Sequence, residues 1–263
     1  KNIKIKDEKN ITAYDYLKRT EVSINDVKDK LSKEYEFTFE VNIEDITEEK
    51  LNKLDKYYDL LIEWNNNINL TRITDKEEVY LKHFYDSLTL IKAYDLNKKI
   101  KVCDAGTGAG FPGIVLKIVF DNIDITLVDA LNKRVMFLNE VIKELELKNI
   151  TTVHSRIEDF AKENREKFDL VTSRAVSRLN LLDELCIPLV KENGYFIPMK
   201  ANLEGEIEEA ESGIKKLGAQ KEEIISFLLP KEGSVRNLIK IKKVNKTSIK
   251  YPRVFDKIKK NPL

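Results

Sequence analysis

The segment that most constrains the fold is a short apolar run followed by three alternating glycines. Residues 101–105 are largely apolar, Gly106, Gly108 and Gly110 follow, and residues 114–120 are again apolar. This order predicts a strand, a tight turn and a helix, because a chain that reverses between a parallel strand and its crossover helix must adopt positive φ values. Glycines also let a ligand touch bare backbone. The sequence therefore predicts a nucleotide-type cofactor site at this bend.

Two carboxylates at strand ends indicate which cofactor the bend suits. Phe111 stands where the dinucleotide fingerprint requires its third glycine, and Asp104 lies two residues before Gly106. A carboxylate there opposes a pyrophosphate but suits S-adenosylmethionine, which carries a sulfonium, an ammonium and no phosphate. Asp129 ends a second apolar run, where an acid can accept hydrogen bonds from both ribose hydroxyls. We predict that Asp104, Gly106, Gly108 and Asp129 bind S-adenosylmethionine; the alternative is an ordinary strand, turn and helix with a loop aspartate.

Composition argues against a membrane protein, a secreted protein and a metal-binding protein. The chain of 263 residues has 42% hydrophobic and 35% charged residues, no run apolar enough to span a membrane and no apolar secretory signal. We expect a cytoplasmic protein whose two cysteines, Cys103 and Cys186, are reduced and buried. With two histidines and no clustered ligands, no metal site is predicted. Residues 240–263 hold nine basic residues and one acid, which is typical of a segment that contacts a polyanion or of a solvated tail.

Alternating apolar runs and helical patterns predict an α/β fold with a mostly parallel, doubly wound sheet. Four further strands are expected at 125–129, 150–153, 168–173 and 194–199, and a hairpin of 224–229 and 236–241 should add an antiparallel edge. The predicted organisation is an N-terminal extension at 1–44, a helical segment packed on the core at 45–98, a methyltransferase domain at 99–245 and a basic C-terminal tail at 246–263.

Residues after the third and fourth strands are candidates for the rest of the site. Ile157 could cover an adenine ring and Glu158 read its amino group, although acids at 158 and 159 also simply favour a helix N-terminus. Arg174 ends the fourth strand, where substrate sites of parallel sheets lie, so methyl donor and acceptor should meet there. His83 lies in a helical pattern and is either functional or only packed.

The order of several unrelated motifs resembles one bacterial family, the glucose-inhibited division protein B family of small-subunit ribosomal RNA guanine-N7 methyltransferases. The matching motifs are 63–65, 68–71, 83–87, 104–113, 131–134, 173–176, 251–253 and 260–263. The resemblance covers about residues 41 to 263. It implies a class I, Rossmann-like, S-adenosylmethionine-dependent methyltransferase fold with an N-terminal helical segment.

The resemblance also implies site residues and a reaction. The donor site would fall on Gly106, Phe111, Ile157, Glu158 and Arg174, and Asn69, His83 and Arg156 match positions associated with RNA methylation. The implied reaction transfers a methyl group to N7 of a guanine in 16S (small-subunit) ribosomal RNA and releases S-adenosylhomocysteine. The implied partner is this RNA or the ribosomal particle. We expect the protein to be a monomer.

Guanine N7 carries a free lone pair and no proton, so its methylation needs alignment rather than a general base. The sequence agrees with this, since it offers no nucleophile–base pair. His83, Arg156 and Arg174 are therefore candidates for positioning the acceptor, together with Asn69. Two alternatives stay open from the residues alone: a methyltransferase acting on a protein or small molecule, and a cofactor-binding regulator without turnover.

Overall fold

The computed structural model describes residues 46–174 and 176–263, so the predicted N-terminal extension at 1–44 lies outside the described residues. The strands are β1 (Lys101–Ala105), β2 (Asp124–Asp129), β3 (Ile150–His154), β4 (Phe168–Arg174), β5 (Val190–Lys200), β6 (Ala219–Leu228) and β7 (Val235–Lys243). The α-helices are α1 (Glu48–Asn65), α2 (Lys76–Val79), α3 (Asp86–Leu88), α4 (Gly113–Val119), α5 (Asn132–Glu144), α6 (Ile157–Glu163), α7 (Leu179–Cys186), α8 (Glu206–Lys216) and α9 (Phe255–Lys260). A π-helical turn (Tyr80–Tyr85) and two 3₁₀ turns (Thr89–Lys92, Ile187–Leu189) complete the helical elements of this part of the chain.

The seven strands form one sheet in the order β3-β2-β1-β4-β5-β7-β6. The pairs from β3 to β5 are parallel, and β7 is antiparallel to both of its neighbours. The predicted α/β class, a mostly parallel doubly wound sheet with an antiparallel edge, is confirmed. Strand order reverses between β1 and β4, which places the crevice for a ligand at the carboxyl ends of these two central strands.

Helices cover both faces of the sheet and bury two apolar cores. On one face, α1 packs against α4 and α5 through one apolar stripe. The buried residues of this stripe are Leu51, Leu54, Tyr57 and Leu61. On the other face, α7 packs on α8. No helix in the described ranges is both long and apolar enough to cross a bilayer.

The C-terminal residues 246–263 lie against the domain instead of projecting from it. The Arg165 guanidinium donates hydrogen bonds to the backbone carbonyls of Thr247 and Tyr251, and the Arg253 guanidinium binds the buried carboxylate of Glu184. Ile258 of α9 is fully buried. Because Arg165 lies just before β4, this segment sits at the amino ends of the parallel strands, opposite the glycine bend.

Two strands begin several residues earlier than expected from the sequence. β5 begins at Val190 instead of 194, and β6 begins at Ala219 instead of 224. Residues 220–223 of β6 are polar or charged and exposed on an edge strand, so the start of β6 shows in its pairing with β7 and not in an apolar pattern. The helix α7, which precedes β5, ends at Cys186, because Pro188 follows two residues later.

Candidate active site

The glycine bend presents bare backbone at the carboxyl end of β1. Gly106, Gly108 and Gly110 have φ values of +74°, +62° and +99°. A Cβ added at Gly108 would meet no atom within 4 Å, whereas one added at Gly110 would lie 2.5 Å from the Ile114 side chain. Gly108 therefore faces open space, and Gly110 is required by close packing.

Asp104 lies beneath the bend and is fully buried. Its Oδ2 accepts hydrogen bonds from the Thr107 hydroxyl at 2.6 Å and the Gly113 amide at 2.8 Å. Its Oδ1 is buried and has no hydrogen-bond partner among the described residues. Burial raises the pKa of Asp104 to about 6, against the opposing effect of these two hydrogen bonds. A buried acceptor without a partner is completed by a bound donor group.

Asp129 connects the end of β2 to the bend. Its Oδ2 accepts a hydrogen bond from the Gly108 amide at 2.9 Å, and its Oδ1 accepts one from the Leu131 amide at 2.9 Å. Arg134 lies 3.4 Å from Oδ2. The carboxylate that was predicted to bind ribose therefore also fixes the conformation of the glycine bend.

The residues at the start of α6 differ in exposure. Ile157 and Glu158 are buried, with 9% and 6% of their surfaces exposed. The Ile157 Cδ1 lies 3.6 Å from a Cβ built on Gly106, and a Val176 methyl lies 2.6 Å from it, so both apolar side chains border the bend. The Arg156 side chain is 65% exposed and its guanidinium lies 3.9 Å from the Glu158 carboxylate.

Arg174, His83 and Phe111 form one cluster beside the bend. The His83 ring stacks on the Phe111 ring with centroids 4.5 Å apart, and the Arg174 guanidinium carbon lies 5.1 Å from the Phe111 centroid. Arg174 Nη1 donates to the Lys82 carbonyl and to Asp86 Oδ2, each at 3.0 Å, and its Nη2 lies 3.2 Å from His83 Nδ1. Arg174 thus joins the end of β4 to the N-terminal helices.

His83 is a neutral imidazole in this cluster. Burial and the neighbouring Arg174 guanidinium lower the pKa of His83 to about 3. Nε2 lies 2.9 Å from the Thr71 hydroxyl, and Nδ1 lies 3.2 Å from both Arg174 Nη2 and the Lys82 carbonyl. Both ring nitrogens are therefore occupied in binding neighbours.

Asn69 lies on the exposed loop that leads to Thr71. The Asn65 side chain holds this loop by accepting hydrogen bonds from the Leu70 and Thr71 amides. Asn69 precedes by two residues Thr71, whose hydroxyl contacts His83. Arg156 remains on the other side of the bend, beside α6.

Sequence reasoning missed two residues that organise the cluster. Asp86 is 5% exposed and binds Arg174 with one oxygen and Arg236 Nε with the other, at 3.0 and 3.1 Å. Tyr57 donates its hydroxyl proton to the Ala109 carbonyl inside the bend. The signal for Asp86 was its place one helical turn after His83, but both arginines are distant in sequence.

The residues around the bend fit S-adenosylmethionine. Gly108 offers backbone that a ligand can approach, and the unpartnered Asp104 Oδ1 is an acceptor that suits an ammonium group. Asp104, Asp129 and Glu158 are buried acids at or just beyond strand ends, which favours a positively charged ligand over a diphosphate. The described residues include no group of three or more His, Cys, Asp or Glu side chains that could hold a metal ion.

Comparison with known proteins identifies the family. Residues 50–246 match the family model GidB, rRNA small subunit methyltransferase G. A ribosomal RNA small subunit methyltransferase G from Lachnoclostridium phytofermentans is 52% identical over 222 residues, 83% of this chain and 92% of that protein. The protein of the same name from Staphylococcus carnosus is 50% identical over 211 residues, 79% of this chain and 88% of that protein.

A likeness to solved structures supports the fold alone. The crystal structure of TrmN from Thermus thermophilus matches with a TM-score of 0.51 and 13% identity, over 63% of this chain and 53% of that one. A protein from Galdieria sulphuraria, provisionally named a sarcosine dimethylglycine methyltransferase, matches with a TM-score of 0.50 and 14% identity, over 65% of this chain and 89% of that one. The chain therefore belongs to the GidB family of small-subunit ribosomal RNA methyltransferases, whose methyl donor is S-adenosylmethionine.

Proposed function

We propose that this protein transfers a methyl group from S-adenosylmethionine to N7 of a guanine in 16S ribosomal RNA. It acts as a cytoplasmic monomer on this RNA or on the small ribosomal particle, and releases S-adenosylhomocysteine. The observation that carries the choice of N7 is the state of His83, which is neutral and binds a neighbour through each nitrogen. The cluster next to the donor site therefore holds an acceptor in place and does not remove a proton from it.

N7 methylation makes few chemical demands on the protein. S-adenosylmethionine supplies an electrophilic methyl group on a positively charged sulfur. The guanine N7 lone pair needs no deprotonation, so the protein contributes by aligning N7 with that methyl group. Holding two reactants in attack geometry can supply roughly 7–11 kcal/mol of a reaction barrier.

We assign the alignment to residues on both sides of the bend. Asp104, Gly106, Gly108, Phe111, Asp129, Ile157 and Glu158 are the proposed donor-site residues. Arg174 also belongs there: Nη1 uses both its N–H groups on Lys82 and Asp86, so Nε and the second Nη2 hydrogen stay available to a ligand. Arginine donates to the O6 edge of guanine, and one such contact is worth roughly 1–3 kcal/mol. Asn69, His83 and Arg156 are the proposed acceptor-side residues.

The direct test uses labelled S-adenosylmethionine and small-subunit RNA that lacks the modification, both protein-free and in particles. N7-methylguanine is identified by borohydride reduction and aniline cleavage, which break the RNA chain at this base and not at a C5-methylated pyrimidine. We expect label in the RNA and one cleavage position. Label in protein or a small molecule, or donor binding without transfer, would contradict the proposal.

The variant Arg174→Ala tests the proposed role of Arg174 in the same assay. We expect it to lower kcat at least tenfold. Arg178→Ala is a suitable control, because Arg178 lies four residues later, is 52% exposed and binds only the surface carboxylate of Glu209 in the described structure. An Arg174→Ala enzyme with unchanged donor binding and methylation would refute the role of Arg174.

A further inference from the structure

Five lysines of the C-terminal segment form an exposed basic surface, here called the tail surface. They are Lys246, Lys250, Lys257, Lys259 and Lys260. None of them has a carboxylate oxygen within 4.0 Å in the ranges 46–174 and 176–263. Single exposed lysines elsewhere in these ranges, such as Lys99, Lys133 and Lys148, also lack an acid within this distance, but the tail surface holds five such lysines within residues 246–260. Other exposed lysines form ion pairs. Lys98, Lys143 and Lys215 have 70–72% of their side chains exposed, and each is paired with an acid.

The tail surface is held on a fixed scaffold. Arg165 donates hydrogen bonds to three carbonyls of the turn that carries Lys246 and Lys250. The backbone amide and guanidinium of Arg253 both bind Glu184, and Ile258 anchors α9 in the core. The charges are therefore presented in a preorganised arrangement, which lowers the conformational entropy lost on binding.

The tail surface lies far from the proposed acceptor site. Arg165 precedes the first residue of β4, and Arg174 is its last residue, so the seven residues of this strand separate the two regions. At about 3.3 Å per residue, the strand spans roughly 23 Å. A nucleotide bound beside Arg174 cannot also contact the tail surface.

We propose that the tail surface binds phosphates of the RNA substrate at a second place, distant from the guanine that is methylated. This inference rests on the proposed function, because a polyanionic substrate is what gives unpaired lysines a partner. Lysines that form no ion pair can bind RNA phosphates and release counterions without first breaking one. Attachment at two edges of the sheet selects a large folded RNA over a short strand that only fills the acceptor site.

The test compares two triple variants with equal changes in charge. One is Lys257→Gln, Lys259→Gln and Lys260→Gln on the tail surface; the control is Lys98→Gln, Lys143→Gln and Lys215→Gln at acid-paired positions. Binding of protein-free small-subunit RNA is measured by filter retention over a salt series. A single-strand contact contributes about 0.7 to the log–log salt slope, so we expect the tail variant to flatten the slope by about 2 and the control to leave it unchanged.

Methylation by the tail variant supplies the second readout. We expect its kcat to match that of the unaltered protein while its KM for the RNA rises, since the donor site lies at the opposite edge. Equal slopes for the two triple variants would overturn the inference. So would weaker binding to ribosomal particles with an unchanged slope on free RNA, which would indicate a ribosomal protein as the partner. Failure of the unaltered protein to methylate RNA would refute the proposed function but leave the slope comparison readable.

Discussion

Gly108 and Gly110 share a positive φ but differ in their surroundings. Alanine is therefore expected to weaken donor binding at Gly108 and to lower stability at Gly110. At Gly108 the added methyl meets open space, so the substitution destabilises the folded protein only through the αL strain of alanine, about 1–2 kcal/mol. That methyl would occupy the place of the ligand, and we expect at least a tenfold loss of S-adenosylmethionine affinity by calorimetry. At Gly110 the methyl meets Ile114 and the Tyr57 hydroxyl, so Gly110→Ala should mainly lower the free energy of unfolding in urea. A Gly108→Ala protein that binds the donor normally would show that the ligand does not approach this side.

The raised pKa of Asp104 indicates that the buried carboxylate lowers the stability of the folded protein, while its charge favours donor binding. The folded protein keeps the Asp104 carboxyl protonated up to about pH 6, whereas the unfolded chain releases this proton near 3.8. The folded state therefore loses stability as the pH rises from 3.8 to about 6, and the loss persists above it. Asp104→Asn removes this term while its amide oxygen can still accept from Thr107 and Gly113. We expect it to raise the free energy of unfolding by on the order of 2–3 kcal/mol at pH 7 and by little at pH 4.

The same substitution should weaken donor binding, because an amide lacks the charge that suits an ammonium group. Urea unfolding at pH 4 and pH 7 measures the first effect, and calorimetry with S-adenosylmethionine measures the second. Asp124→Asn, at an exposed position that begins β2, is the control with the same change in net charge. A stability gain that is equal at both pH values would contradict the raised pKa of Asp104.

At the scale of elements, one carboxylate of the helical stretch from α2 to the 3₁₀ turn at 89–92 binds two strands of the sheet. Asp86 binds Arg174 at the end of β4 and Arg236 in β7. In Asp86→Asn the amide nitrogen would face the N–H groups of one arginine, so a buried pair is lost. We expect the free energy of unfolding to fall by about 3 kcal/mol and kcat to fall at least tenfold, because Arg174 and His83 lose their alignment.

Arg236→Gln separates these two effects. It removes only the β7 contact of Asp86 and leaves the Arg174 contact in place. We expect a comparable loss of stability with kcat retained within threefold, measured under saturating donor and RNA. If Asp86→Asn is destabilised but keeps the kcat of the unaltered protein, the carboxylate serves only to hold the elements together.

At the scale of the whole molecule, local patterns predicted the central sheet because its parts are encoded nearby in the chain. The apolar runs that became β1 and β2 and the glycines between β1 and α4 lie within thirty residues of each other. The bridge from Asp86 to Arg174 and Arg236 spans 88 and 150 residues, and no periodicity encodes such a contact. The π-helical turn that carries His83 was equally unpredictable, since its sequence is compatible with an ordinary helix.

The basic residues near the C-terminus fall into two groups, those that bind partners within the protein and those that are exposed. Its basic residues predicted contact with a polyanion, yet Arg253 is committed to Glu184, and Lys243 is buried beneath the segment with its ammonium bound to the Ile187 carbonyl and the Thr247 hydroxyl. Charge counting could not separate these residues from the exposed lysines, because the separation depends on partners that lie far away in sequence.

The ion pair between Arg253 and Glu184 is expected to stabilise the whole molecule. Glu184 is fully buried and accepts hydrogen bonds from the amide, Nε and Nη2 of Arg253. Arg253→Gln leaves this carboxylate buried with a single backbone donor, and breaking a buried pair in this way costs about 3–5 kcal/mol. For a protein of this size, that corresponds to a decrease in Tm of roughly 6–20 °C in a thermal scan.

The double variant Arg253→Gln, Glu184→Gln tests the cause, because it removes the buried charge as well. We expect it to recover at least half of the lost Tm, giving a coupling energy within the range measured for contacting residues. Affinity for S-adenosylmethionine should be unchanged in both variants, since the pair lies at the amino-terminal edge of the sheet. An Arg253→Gln protein that melts at the unaltered temperature would mean that residues 246–263 can leave the domain without unfolding it.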